Sequence, residues 1–506
     1  MTEHEQLGAP AGPEGRPTRP ERVPPQAPAP GRRETSARSG PDGDGTAAPW
    51  PDMMLPLLRT PTADRQPGPE AGAEPPAGVE PAQVLELALL VGELLLASGE
   101  AAEDVEAAML AVAHAYRLQP CDPQVTFTRV AISYQPGPSE PSLTAECSVR
   151  RPAVDYARLA AVFRLVIEIT VGGMAVREAH GRLVAARRHS RRYSGRLFVL
   201  CCGGMAGAAT LLIGGRADAR AWLVFASAVV AALAGERLSA LVARHDLPAF
   251  YQFVVAAVPA AVIGILLSFN GLHLRGSVVI TGGLYAVLPG WPMVAAAQDG
   301  LAGFYLTAAA RLLEALYLMA GVVIGVMTVL YVGVNNGADL AAQDVPTGAV
   351  NPPLQLAAAV LLTLAFAVLL NTEPGTLPAV LLNSAAGWTT YGVLVNAGGE
   401  PILATGLAAG LVGLSGQLMA RCRGSSALPH ITAALGPLLP GSVLYFGMLA
   451  FVRGEPEVGL SGIGRAGAMA MALAIGVNLG RELARLFLPA PRMAAPPRRR
   501  RGRHRR

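Results

Sequence analysis

The 506-residue sequence contains no lysine, so all 41 of its basic Lys or Arg positions are arginine. Basic residues of one kind suggest a GC-rich coding bias more readily than a nucleic-acid surface, and no nucleic-acid partner is expected. Charge is also scarce: 15% of residues are charged, against about 25% in soluble proteins. The five cysteines, Cys121, Cys147, Cys201, Cys202 and Cys422, form no CxxC pair and have no histidine at ligand spacing. This excludes a disulfide framework and a zinc site, and no metal or other cofactor is expected. The chain opens on a polar, acidic, proline-rich run rather than a basic start and an apolar core, so no signal peptide is expected.

What the sequence has instead is apolar length. Mean hydropathy is +0.38, and from Leu197 to Leu486 apolar stretches follow one another, many near the roughly 20 residues a helix needs to cross hydrocarbon. Ten spans are expected near 197–214, 221–240, 250–269, 277–295, 313–334, 354–371, 377–396, 401–420, 432–452 and 466–487. The fold class is mainly α, a polytopic membrane protein. The weakest spans are the second, with Glu236 and Arg237, and the fourth, with Pro289 and Gly290.

Residues 1–80, rich in Pro, Gly, Ala, Arg and Glu, read as a disordered tail. Residues 81–194 read as a small α+β cytoplasmic domain in the order helix, helix, strand, strand, helix, helix. Pro81 suits a helix start, and Ala101, Val105, Ala108, Met109, Val112 and Tyr116 recur at helical spacing. Leu143–Val149 alternates as a strand, and Val125–Tyr134 is its expected partner, with a bulge where the apolar phase slips near Arg129. Asp155 is the expected N-cap of a helix facing inward through Leu159, Val162, Phe163, Val166 and Ile169.

The membrane part divides into 195–345 and 346–488, followed by an arginine-rich tail, 489–506. Ala286-Val287-Leu288-Pro289-Gly290 recurs as Pro437-Leu438-Leu439-Pro440-Gly441, and Ile324-Gly325-Val326 as Ile475-Gly476-Val477, both 151 residues later. Five spans per copy is an odd number. Tandem copies must then enter the membrane in opposite senses, as an inverted repeat.

Leu288-Pro289-Gly290 with Asp299 and Arg311, Leu439-Pro440-Gly441, Gly214-Gly215, and Gly92-Glu93-Leu94-Leu95-Leu96-Ala97-Ser98-Gly99 followed by Glu103-Asp104-Val105-Glu106 together resemble the threonine/serine exporter family over about residues 82–487. The resemblance implies ten spans, a hydrophilic N-terminal domain, and export of L-threonine and L-serine driven by the proton gradient. The sequence departs from the family in its long N-terminus, its arginine tail and the acid of Ser98-Gly99-Glu100.

Pro289-Gly290 and Pro440-Gly441 are candidate substrate-binding or gating elements, because a broken helix exposes backbone dipoles; a simple kink is the plainer alternative. Asp299, Glu314 and Arg311 are candidates for proton coupling at membrane depth, or anchors in a wet loop. Asn270, Asn335, Asn336, Asn383, Gln417 and Asn478 are uncharged polar positions in or near spans, candidates for binding an amino-acid substrate with Asn383 and Asn478 foremost because apolar sequence surrounds them, although interhelical hydrogen bonding is the commoner role. Glu93, Glu103, Asp104, Glu106, His114 and His180 of the soluble domain form no metal site or nucleophile–base pair, and surface and capping roles account for them.

The expected function is secondary active export of small amino acids from the plasma membrane, with the substrate, protons and the lipid bilayer as partners and homo-oligomerisation left open. No catalytic residue is expected. The alternative is a membrane-embedded enzyme or sensor whose soluble domain carries the activity. Ten spans put both termini on one side, and the arginines before the first span and after the last place that side in the cytoplasm. A reporter active only outside the cytoplasm, fused after Arg506, should be silent; strong activity would reverse the orientation.

Overall fold

The computed structural model describes residues 79–137, 140–149, 154–172, 174–188, 192–269, 275–287, 290–338, 340 and 352–487. The expected terminal tails, Asn270 and Pro289 lie outside them.

The N-terminal part opens with α1 (Pro81–Ala97) and α2 (Ala102–Ala115). Three antiparallel strands follow, β1 (Cys121–Val125), β2 (Arg129–Tyr134) and β3 (Leu143–Ser148), in spatial order β1-β2-β3. The expected single strand over 125–134 is therefore a hairpin. Thr126 N donates to Arg129 O at 2.8 Å, so the slip in apolar phase at Arg129 is a turn, not a bulge. Pro123 sits in β1, which among the described strands pairs only with β2 and so is an edge strand, where a missing N–H is tolerated.

Two helices close this part, α3 (Tyr156–Val171) and α4 (Val176–Arg187). Asp155 caps α3 by accepting from Arg158 N at 3.0 Å, and Leu159, Val162, Phe163, Val166 and Ile169 are all buried.

The apolar part runs α5 (Gly195–Gly214), α6 (Ala219–Ala243), α7 (Ala249–Phe269), α8 (Gly276–Tyr285), α9 (Gly290–Leu301) and α10 (Tyr305–Asn335). It continues with α11 (Pro352–Leu369), α12 (Leu377–Asn396), α13 (Pro401–Arg423), α14 (Leu428–Thr432), a 3-10 turn (Ala433–Leu438), α15 (Gly441–Val452) and α16 (Pro456–Phe487). Seven of these, α5, α6, α7, α10, α11, α13 and α16, are long and apolar enough to cross a membrane. An eighth span forms if the segment Leu428–Leu438 is joined to α15, across a 42° bend. Large apolar side chains such as Leu200, Trp222, Leu266, Leu313, Leu403 and Leu460 stand exposed along these helices. Such surface suits lipid, not water. The chain is a mainly helical, polytopic membrane protein.

The same elements recur in the same order. α9 and α15 start 151 residues apart, at Gly290 and Gly441, and each has 12 residues. α10 and α16 also start 151 apart, at Tyr305 and Pro456. Packing recurs with them: α7 on α10 matches α13 on α16, α9 on α10 matches α15 on α16, and α5 on α6 matches α11 on α12. At equivalent crossings Gly325 of α10 faces the carbonyl of Val254, and Gly476 of α16 faces that of Gly406.

A Cβ at Gly476 would run into the α13 backbone, whereas one at Gly464 on the same helix meets nothing within 4 Å. Gly476→Val should therefore cost roughly 1–3 kcal/mol by overpacking, read as a lower thermal midpoint in detergent. Gly464→Val should lie near wild type.

Candidate functional site

Two features bring chemistry-bearing residues together. The first is a cavity of about 360 Å³ beside Pro440, lined among others by Tyr285, Gln355, Trp388, Tyr391, Ser442 and Arg465. The chain breaks from the 3-10 turn into α15 at this cavity, because Pro437 and Pro440 interrupt backbone donation around it. Tyr285 Oη donates to Leu439 O at 2.8 Å, tying the end of α8 to the second Pro-Gly motif. Gln355, 5% exposed, donates Nε2 to Leu212 O at 3.0 Å. α11 runs from this cavity at Gln355 to the N-terminal part at Leu370, whose carbonyl accepts from Tyr156 N. That path is roughly 20 Å of helix.

The second feature lies at that far end, where the turn between α1 and α2 enters the apolar part. Asp299 near the end of α9 is fully buried, and its Oδ2 approaches Arg311 Nη1 of α10 to 2.9 Å. Its Oδ1 accepts from Ala102 N at 2.9 Å, the first residue of α2. Arg311 Nη2 donates to Glu100 O at 3.0 Å. The Glu100 carboxylate accepts from Ser426 Oγ at 2.7 Å, on the connection between α13 and α14. Asp104 pairs with Arg481 of α16 at 3.0 Å, and Arg485 lies 3.5 Å from Asp104 and 3.9 Å from Glu103. Asp299 and Arg311 thus form a buried ion pair. Surface and capping roles for Glu103 and Asp104 are corrected to buried pairing with α16.

Glu100 lies outside the spanning helices. Burial, with Asp104 adding to it, lifts its carboxyl from the ordinary 4.5 to about 7, against the Ser426 hydrogen bond and Arg481.

The other expected residues go elsewhere. Asn383 donates to Val412 O and His430 O at 3.1 and 3.0 Å and accepts from Ser415 Oγ at 2.5 Å. These bonds tie it to α13 and α14. Asn478 is half-buried and lines neither feature, and Glu314 is half-buried on α10. Gly290 and Gly441 begin equivalent helices. Gln355 and Arg465 were not singled out from the sequence, although Gln355, a lone polar residue before an apolar run, carries the signal that marked Asn383.

The family model described as "Putative threonine/serine exporter" matches residues 86–333, and that described as "Threonine/Serine exporter, ThrE" matches residues 355–481. The chain is 32% identical to a Mycobacterium tuberculosis protein named "Probable threonine/serine exporter", over 79% of this chain and 76% of that one. It is 28% identical to the "Threonine/serine exporter" of Corynebacterium glutamicum, over 84% of this chain and 87% of that one. No solved structure matches the chain.

A carboxyl whose docked value exceeds its free value binds more protons docked than free, so acid favours docking of the Glu100 turn. That stabilisation is full below 4.5 and is lost as pH rises through about 7, at most on the order of 3 kcal/mol. Hydrogen exchange of residues 99–104, corrected for intrinsic rates, should be slower at pH 6 than at pH 8. Glu100→Gln should abolish the difference.

Proposed function

The chain belongs to the threonine/serine exporter family, and on that premise we propose that it is a secondary active exporter of small amino acids, L-threonine and L-serine first, driven by protons across the plasma membrane. It acts as a transporter and not as an enzyme. The observation that carries the reading is the broken helix at Pro440-Gly441 beside a cavity, in a unit whose elements repeat those before it. Unwound backbone at such a break offers both dipole poles to a zwitterion.

We propose ten spans in two inverted units. In each the fourth span is broken, α8 with α9 in the first, and α14 and the 3-10 turn with α15 in the second. Contacts between units support a two-fold relation rather than a translation. α9 packs on α16 while its counterpart α15 packs on α10, and the equivalent helices α5 and α11 pack on each other. Mutual exchange of partners is the mark of a two-fold axis. With both termini cytoplasmic, the N-terminal domain closes the cytoplasmic side and the cavity lies toward the other. Pro289-Gly290 and Pro440-Gly441 serve as gating breaks.

Asp299 is the proposed proton carrier, with Arg311 stabilising it when charged and Glu314 the second candidate. Radiolabelled threonine should leave cells faster with the protein than without it, and should slow when the proton gradient is collapsed. Asp299→Asn keeps shape but cannot titrate, so gradient-driven export should fall at least tenfold while energy-independent exchange survives. Normal export by Asp299→Asn with unchanged pH dependence would remove it from this role. No protein-dependent efflux of any amino acid would remove the exporter reading itself.

A further inference from the structure

The cavity at the second Pro-Gly break has an internal polarity. Gln355 Nε2 faces the carbonyl of Leu212, which only a donor can satisfy, so the amide orientation is fixed and Oε1 is its free acceptor. That Oε1 is buried without a hydrogen-bond partner. A buried acceptor left unmade carries a desolvation cost that a ligand donor would remove.

The other pole is positive. α15 has 12 residues and starts at Gly441; Leu444 N is its first amide to reach back, to Pro440 O, so helix geometry leaves the amides of Ser442 and Val443 without intrahelical acceptors. Both residues line the cavity, as does Arg465, which has no carboxylate partner among the described residues. Helix N-terminus and guanidinium together make an anion site. The volume, about 360 Å³, falls at the small end of the roughly 300–1,000 Å³ of small-molecule sites.

Resting on the exporter reading, we propose that this cavity binds one zwitterionic α-amino acid, its carboxylate held by Arg465 and the start of α15 and its ammonium donating to Gln355 Oε1. Tyr285, through its bond to Leu439 O, holds the break in place and is a positioning residue.

The test measures binding of radiolabelled L-threonine to the purified full chain in detergent, with unlabelled competitors. N-acetyl-L-threonine lacks the ammonium and L-threonine methyl ester lacks the carboxylate, so both should compete at least tenfold less well than L-threonine. Arg465 is exposed, so Arg465→Ala should fold normally. It should weaken L-threonine at least tenfold while leaving the methyl ester's affinity unchanged. Gln355→Leu should weaken L-threonine at least tenfold while leaving the affinity of N-acetyl-L-threonine, which has no ammonium, unchanged.

Equal loss of both ligands in Arg465→Ala, or unchanged affinity in folded Arg465→Ala and Gln355→Leu, would overturn the site. If the wild-type chain exports threonine and these variants bind it normally, the site is wrong and the exporter reading stands. Absence of both binding and export for every proteinogenic amino acid removes the two together.

Discussion

Charge removed from water must meet its opposite, and in this chain three arginines of the apolar helices meet acids both of those helices, Asp299 and Glu482, and of the N-terminal domain. Arg311, Arg481 and Arg485 are buried or nearly so, and Glu103, Asp104 and the Glu100 carbonyl arrive with one turn of the N-terminal domain. Removing one partner of such a pair costs far more than the pair contributes, because the survivor is stranded. The turn over 98–104 is therefore fixed in place by both units at once. Asp299 and Arg311 hold it from the first, Ser426, Arg481 and Arg485 from the second.

Small residues set the geometry that lets those charges meet. Gly325 and Gly476 bring long helices against neighbouring backbone, where a side chain would force them apart. Without a hydrophobic drive between helices in lipid, close backbone packing of this kind supplies association. Polar contacts then fix register, as when Thr363 and Ser384 oxygens meet at 2.6 Å between α11 and α12.

How much was legible followed physical rules. Apolar length announces a spanning helix, and Pro-Gly announces a break, so Gly290 and Gly441 were visible as motifs and stand at equivalent helix starts. The capped helix after Asp155 was equally plain. β1 was not, because Pro123 and the neighbouring Pro120 suppress a strand signal that edge pairing overrides. Glu103 and Asp104 resembled ordinary acids at a helix start, since a sequence shows the helix but not the Arg481 and Arg485 that meet it from 377 and more residues away. Asn383 and Gln355 look alike in sequence, and only their surroundings separate an amide bonded at both nitrogen and oxygen from one whose oxygen has no partner.

The apolar core of the N-terminal domain does not stop at its own boundary. It runs on into Ala367, Leu370, Val380, Leu428 and Ala433, all from the second unit, and Asn371 and Glu373 add hydrogen bonds to Arg192 and Arg164 there. Its ties to the first unit are mainly polar, through Asp299, Arg311 and Thr307, with Phe304 packed against the core beside them. A body welded to one partner and clipped to the other has an inherent seam, and any shear between the units falls along the clip. Were the two units to shift against each other, the shared apolar core would carry the domain with the second.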